Sequence, residues 1–509
     1  MEPQLASTPF YLRRWFRLLL AGGILAAAAI LLRGYVTDDT FIHLRYARHL
    51  LARGEFSFNP GQHTYGATSP LWIFMLALLL KLGLAPLAAA WWGGLLAGLG
   101  VLLLMDALLA RSGWPASWQG VLLLLLAADA WFLRWTLSGM ETPLATLLLL
   151  LLLWPVMVRR RPHRAATSPV GRLAASVPFW GWGVAAGLAG LARPEFALLG
   201  PLALPWVLWD HRRRAGGERV AADGVDSLFM HALAAGAGWL VAVGPWLVYA
   251  WGAFGRLLPE TATAKSYALN FSPGSLSASV LRSLSQLAAT QIFLWVAVAA
   301  AVGIRLWGRR GGGRAANVAA EPVTSGPPAA PGGAGRPCGS NLALCGIVIV
   351  WTGVLIGGYA VKQVWVVSRY LAPLEPPLLL AMAALVAGGL APPTPELRPR
   401  RAVAAFSRRR VGLAILLAGC LAQGIANGWL LTARVRPHAR EFSRGLRECY
   451  LGTGRWLREN SPPQAIAAAL DIGAVGFASE RCILDLMGLV SPELLDLGRR
   501  LGFEEMVAS

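Results

Sequence analysis

The chain has 509 residues, of which 14% are charged, against about 25% in an ordinary soluble domain; with 56% hydrophobic residues and a mean hydropathy of +0.53, a water-soluble globule is excluded. The net charge of +20 rests on arginine, since Lys81, Lys265 and Lys362 are the only lysines, and the arginines cluster between apolar runs. Clusters so placed are membrane-orientation signals, so nucleic acid is set aside as a partner and membrane lipid takes its place.

A crossing takes about 20 apolar residues, and on that measure the chain is an all-α polytopic membrane protein of about eleven spans. The first, Leu18 to Leu32, follows Arg13, Arg14 and Arg17, which places the N-terminus in the cytoplasm; it lacks a convincing cleavage site and is expected to stay as an anchor. The outer loop that follows, about 34–69, opens with Asp38-Asp39 and closes in the turn-rich Tyr65-Gly66-Ala67-Thr68-Ser69-Pro70. Pro70 to Leu82 is apolar but short, and an interfacial helix over about 70–84 is expected there.

The next spans are Pro86–Leu109, Trp118–Leu133, Pro143–Val158, Val177–Leu191, Phe196–Trp209, Leu228–Ala250, Leu287–Ile304, Leu342–Val361, Tyr370–Leu390 and Val411–Leu431. In this register Arg159-Arg160-Arg161, Arg212-Arg213-Arg214 and Arg408-Arg409-Arg410 all lie inside; counting 70–82 as a span would put them outside. The Gly, Pro and Ala-rich stretch 311–340 reads as a flexible cytoplasmic linker. Residues 1–432 thus form the transmembrane domain, and 433–509 a small extracytoplasmic α/β domain. In that tail, Ala465–Leu470 and Cys482–Leu486 are expected strands and Pro492–Leu501 a helix; Cys449 and Cys482 share the oxidising side and could pair or stay as thiols. The five cysteines make no metal motif.

This register gathers the unusual polar groups on the outer side: Asp38 and Asp39, Glu141, Arg193 and Glu195, Glu260 and Lys265, and Arg369 with Tyr370. Ionisable groups at span mouths are costly unless they meet water, an ion or a polar substrate. Each has a plainer reading: a helix cap for Asp38 or Glu141, a local ion pair for Arg193 and Glu195, an interface anchor for Arg369. Jointly they describe a cavity in which a carboxylate could take a proton from a sugar hydroxyl and cations could hold a leaving phosphate. Facing away from cytoplasmic nucleotide sugars, such a cavity needs a lipid-borne donor. On the loop helix Asp39 and His43 share a face, as do Asp38 and Arg45, so His43 is a candidate relay or a structural histidine.

The acidic pair followed by Arg45-Tyr46-Ala47 resembles the membrane-embedded GT-C glycosyltransferases, among them protein mannosyltransferases and lipid A aminoarabinose transferases. Asp38-Asp39-Thr40-Phe41, Asn59-Pro60-Gly61 and Gly66 to Trp72 are similar to the branch holding the mycobacterial terminal arabinofuranosyltransferase. So are Gly139-Met140-Glu141-Thr142, Arg193-Pro194-Glu195, Ala264-Lys265, Arg369 to Pro373, Asp471 to Gly476 and Asp485 to Leu489.

That resemblance implies a GT-C fold, a polyprenyl-phosphate sugar donor and inverting transfer to a glycan, lipid or protein acceptor at the outer face of the cell membrane. Asp38 is implied as the base, with Asp39 orienting it or serving as a metal ligand; a divalent cation (Mg, Mn or Ca) is left open and no other cofactor is called for. Lys265, Arg369 and Arg193 would bind the donor phosphate, and His43, Arg45, Glu141, Glu195, Glu260 and Tyr370 the substrates. Glu260 departs from the Pro-Asn of the relatives, and the tail is short. The rival readings are a secondary transporter or lipid flippase, which calls for mid-membrane polar features or an internal repeat, and a non-catalytic scaffold.

Overall fold

The computed structural model describes residues 13–112, 114–158, 169–214, 224–260, 270–314, 338–390 and 399–501. Every one of the apolar stretches lies in helix, because in lipid the backbone must satisfy its own hydrogen bonds. Among the described residues seven helices are long and apolar enough to cross, from Arg14–Leu31 to the outermost, Arg410–Asn460. The other stretches are more broken than simple crossings. Ala116–Ala127 and Ala130–Thr136 form one span bent by 56°. The cause is Asp129, whose carboxylate accepts the amide N–H groups of Trp131 and Phe132, both at 2.9 Å, and so starts a new helix within the span. Asp129 also hydrogen-bonds Glu375, which in turn accepts from Thr290 Oγ1 at 2.9 Å. Thr142–Leu152 has 11 residues and rises only about 16 Å, after which Pro155 opens the short Trp154–Met157 turn.

Pro70–Lys81 is a 12-residue helix packed between Asp38–Arg53 and Pro86–Arg111. Of the expected 311–340 linker, residues 315–337 lie outside the described residues; helices run to Arg314 and resume at Cys338. The expected boundary at 432/433 falls inside a helix. Pro399–Leu430 passes through a π turn at Leu431–Val435 into Arg436–Gly445, and through a second at Leu446–Tyr450 into Leu451–Asn460.

The tail then makes a small βαβ unit. β1 (Ile466–Ala469) and β2 (Cys482–Asp485) pair in parallel, Ile466 opposite Cys482, and Gly473–Ser479 is the crossover helix that parallel strands require. Both strands and the Pro492–Leu501 helix fall where the sequence places them. The unit has no separate core. Ile472, Val475, Ile483 and Val490 pack with Phe41, Tyr46, Phe58 and Tyr65 of the first loop, so loop and tail fold as one cap.

Candidate active site

Asp38 and Asp39 begin the Asp38–Arg53 helix, which Gly54 ends in the left-handed conformation. Thr37 stands at the cap position, its hydroxyl on the Thr40 hydroxyl at 3.0 Å and not on a helix amide; the Thr37 amide and the Thr40 hydroxyl both approach Ser138 O, at 3.2 and 3.0 Å. That contact needs Gly139, whose φ is +78° and whose missing Cβ would stand 2.8 Å from Thr40 Cγ2. Glycine here lets the Ser138–Thr142 turn lie against the start of the acidic helix.

From this shared start the two aspartates part. Asp38 turns to the tail: its Oδ2 accepts from Gly473 N at 2.9 Å and its Oδ1 from Ala474 N at 2.7 Å. It is a helix cap, but of a helix 435 residues further on. Burial pushes its carboxyl up to about 6, opposed by the amide bonds to Ala474 and Gly473 and aided by the neighbouring Asp39 charge. Only glycine fits at 473, since a Cβ there would stand 2.1 Å from Asp38 O. Two turns along the same face, Arg45 donates to Phe58 O (2.7 Å), Arg481 O (2.7 Å) and Gly476 O. Gly476 is equally constrained, with a Cβ position 2.7 Å from that guanidinium.

Asp39 turns the other way and meets Arg369 at 2.5 Å, with 31% and 15% of the two side chains exposed. Arg369 belongs to a cluster built from several helix ends. Arg193 reaches Glu195 at 2.8 Å and Glu141 at 3.7 Å, and donates to the Arg369 carbonyl at 2.9 Å. Tyr359 donates to Glu195 at 3.1 Å. The Tyr370 ring lies between the two guanidiniums, 5.2 Å from Arg193 and 5.3 Å from Arg369. Trp135 Nε1 donates to Ser368 Oγ at 3.0 Å and fixes the start of the Arg369 segment.

The expected site residues therefore divide. Asp39, Glu141, Arg193, Glu195, Arg369 and Tyr370 come together. Asp38 and Arg45 face the tail, and Arg45 is spent on the backbone carbonyls of Phe58, Gly476 and Arg481, which clamps the loop to the tail. His43 is buried within its helix. Glu260 is paired with Arg256, and its amide donates to Tyr65 O at 2.8 Å. Lys265 lies outside the described residues. Cys449 and Cys482 are both free thiols, and no disulfide joins them. Tyr359 was not expected, because one tyrosine in an apolar run carries no signal of its own. Among the described residues no three His, Cys, Asp or Glu side chains gather as metal ligands, and Asp39 already faces a cation. The described groups do not fit a three-ligand cation site.

Residues 438–508 match the model of a domain of unknown function, DUF8728. The terminal beta-(1->2)-arabinofuranosyltransferase of Mycobacterium tuberculosis is 30% identical over 245 residues, which is 46% of this chain and 36% of that protein. The chain thus matches little more than a third of that relative's length. ArnT from Cupriavidus metallidurans bound to undecaprenyl phosphate superposes over 95% of this chain and 90% of its own, with a TM-score of 0.52 at 14% identity. An Archaeoglobus fulgidus oligosaccharyltransferase in complex with zinc and sulfate covers 92% of this chain and 62% of its own, with a TM-score of 0.52 at 12% identity. The fold is the one these two structures share, the GT-C type that the sequence resemblance implies.

Proposed function

We propose that the protein is a membrane glycosyltransferase that moves a sugar from a polyprenyl phosphate to an acceptor hydroxyl on the extracytoplasmic side. The observation that carries this reading is the Asp39–Arg369 pair, set beside Arg193 at the helix ends of a fold that ArnT holds with undecaprenyl phosphate bound. The positive-inside register supports the sidedness.

In this reading an acceptor O–H gives its proton to a carboxylate of the acidic pair as its oxygen bonds to the anomeric carbon. The bond from that carbon to the phosphate oxygen breaks, its electron pair leaves with the polyprenyl phosphate, and attack from the opposite face inverts the configuration. Asp38 suits the base role better than Asp39. A carboxyl at about 6 is ionised at neutral pH yet basic enough to take a proton, whereas Asp39 is engaged in an ion pair with the Arg369 guanidinium at 2.5 Å. The two amides on Asp38 hold its orientation. Asp39 then aims Arg369 at the departing phosphate, with Lys265 as the second cation, and Arg193 holds the Arg369 backbone through its carbonyl.

The test is a transfer assay with a polyprenyl-phosphate sugar donor on the folded Asp38→Asn and Asp39→Asn variants. Loss of turnover in both, deeper in Asp38→Asn, is the expected result; full turnover in both removes the acidic pair from the mechanism.

A further inference from the structure

The last long helix leaves the apolar zone at Trp429, which is 57% exposed and lies 5.7 Å under the Arg434 guanidinium, as interfacial tryptophans do. Beyond it the sequence is unusually cationic for an outer segment. Arg434, Arg436, Arg440, Arg444 and Arg447 stand against Glu441 and Glu448. The last four arginines recur at intervals of four, four and three, which sets them on one face of a helix. They flank the buried line of Val435, Ala439, Ser443 and Leu446. Arg440, Arg444 and Arg447 are exposed.

The surroundings add positive charge. Phe442 packs edge-on to Tyr35, and Arg134 donates to the Tyr35 hydroxyl at 3.2 Å and sits 3.4 Å from His438 Nδ1. At the top, the Arg447 guanidinium lies 3.8 Å from where a Cβ of Gly34 would stand, beside the exposed Arg33. Gly34 is four residues before Asp38, so the row of arginines ends on the loop that carries the acidic pair.

Height decides between two anionic occupants. Eleven positions of helix rise about 16 Å, while the headgroup layer on one side of a bilayer is about 5–8 Å thick. A lipid contact would need only the lower rungs. We propose that this arginine ladder docks an anionic glycan, one bearing phosphate or carboxylate groups along its length, and leads it to the Asp38-Asp39 loop. The proposal rests on the glycosyltransferase reading and specifies its acceptor class.

The experiment measures binding alone, so that its outcome is separate from that of the transfer assay. The full chain in phosphatidylcholine nanodiscs is titrated with fluorescent dextran sulfate and with neutral dextran. The Arg440→Gln/Arg444→Gln/Arg447→Gln variant is compared with a control of equal charge loss, Arg212→Gln/Arg213→Gln/Arg214→Gln. We expect the ladder variant to weaken dextran sulfate binding by about tenfold and the control by less than about twofold, with neutral dextran unaffected. The corresponding Arg→Lys triple variant should retain most of the affinity. Equal losses in the ladder and control variants, or no loss in the ladder variant, overturns the proposal. So does a ladder variant that loses only bound phosphatidylglycerol when that lipid is added to the nanodiscs, which would make the row a lipid contact.

Discussion

Asp38 and Arg45, seven residues apart on one helical face, both end on the Gly473–Ser479 helix: the carboxylate on its first two amides, the guanidinium on the Gly476 carbonyl. A helix leaves its first amides without intrahelical partners, and here the first loop supplies one. The glycines at 473 and 476 form the matching face, since a side chain at either would collide with its partner. Gly473→Ala should therefore separate the cap, at a cost of about 1–3 kcal/mol for overpacking. Hydrogen exchange is the measure: the amides of 473–476 and of β2 should lose protection while those of Pro86–Arg111 keep theirs.

The Asp38 carboxyl gives a pH dependence with a definite sign. Its value rises from 3.8 to about 6 on folding because burial disfavours the charge, so between those values the folded chain holds the proton more tightly. The stability this contributes is present at and below about pH 4 and is lost as the pH climbs through about 6. Thermal unfolding of the cap should accordingly move to lower temperature between pH 5 and pH 7, and Asp38→Asn should flatten that change. Activity should run in the opposite sense. A base must be ionised, so transfer should increase through about pH 6 and level off above it. A rate that is flat from pH 5 to 7 would take the base role away from Asp38.

Arg369 is the cation through which Asp39 reaches the cluster, and both side chains are partly open. Arg369→Ala should lower kcat by about 10²–10³, the range for losing one preorganised charge donor at a developing anion, and should cost some stability as well, because the mostly buried Asp39 carboxylate loses its partner. Arg369→Lys keeps the charge without the planar fork, and should recover part of the rate. An equal loss of donor binding and rate in the two variants, with a matching fall in thermal stability, would mark a structural role instead.

The apolar helical stretches, the short Pro70–Lys81 helix and the two tail strands were legible because hydrophobic length and period determine them directly, though of the eleven expected spans seven of the described helices are long and apolar enough to cross. The 56° bend was not, since Asp129 is one polar letter in an apolar run and its capping role depends on where the chain stops being helical. The acidic pair shows the deeper limit. Two identical adjacent residues read alike, and their opposite directions are set by partners at 369 and 473. Spacing placed Asp38 and Arg45 on one face, which the structure has, but not that the face is covered by the tail. The Ser138–Thr142 and Arg193–Glu195 segments were found as polar breaks between spans, and they do converge, because helix ends on one side of a bundle have few places to go.

Asn59 provides the most local test of the joined cap. Its carboxamide does what a neighbouring strand would do for β2: Oδ1 accepts from Ile483 N at 2.9 Å, and Nδ2 donates to Ile483 O at 2.8 Å. The side chain is buried, so Asn59→Ala strands a donor and an acceptor without water to replace it. With about 1–3 kcal/mol for each of the two buried groups left unsatisfied, the loss should be about 2–6 kcal/mol. Asn59→Asp separates the two halves of the contact, since a carboxylate can still accept from Ile483 N but gives nothing to Ile483 O. It should retain protection at the Ile483 amide that Asn59→Ala loses, while unfolding at a lower temperature than the unaltered chain. If hydrogen exchange at Ile483 is unchanged in Asn59→Ala, the strand is held by β1 alone and the loop is not its third edge.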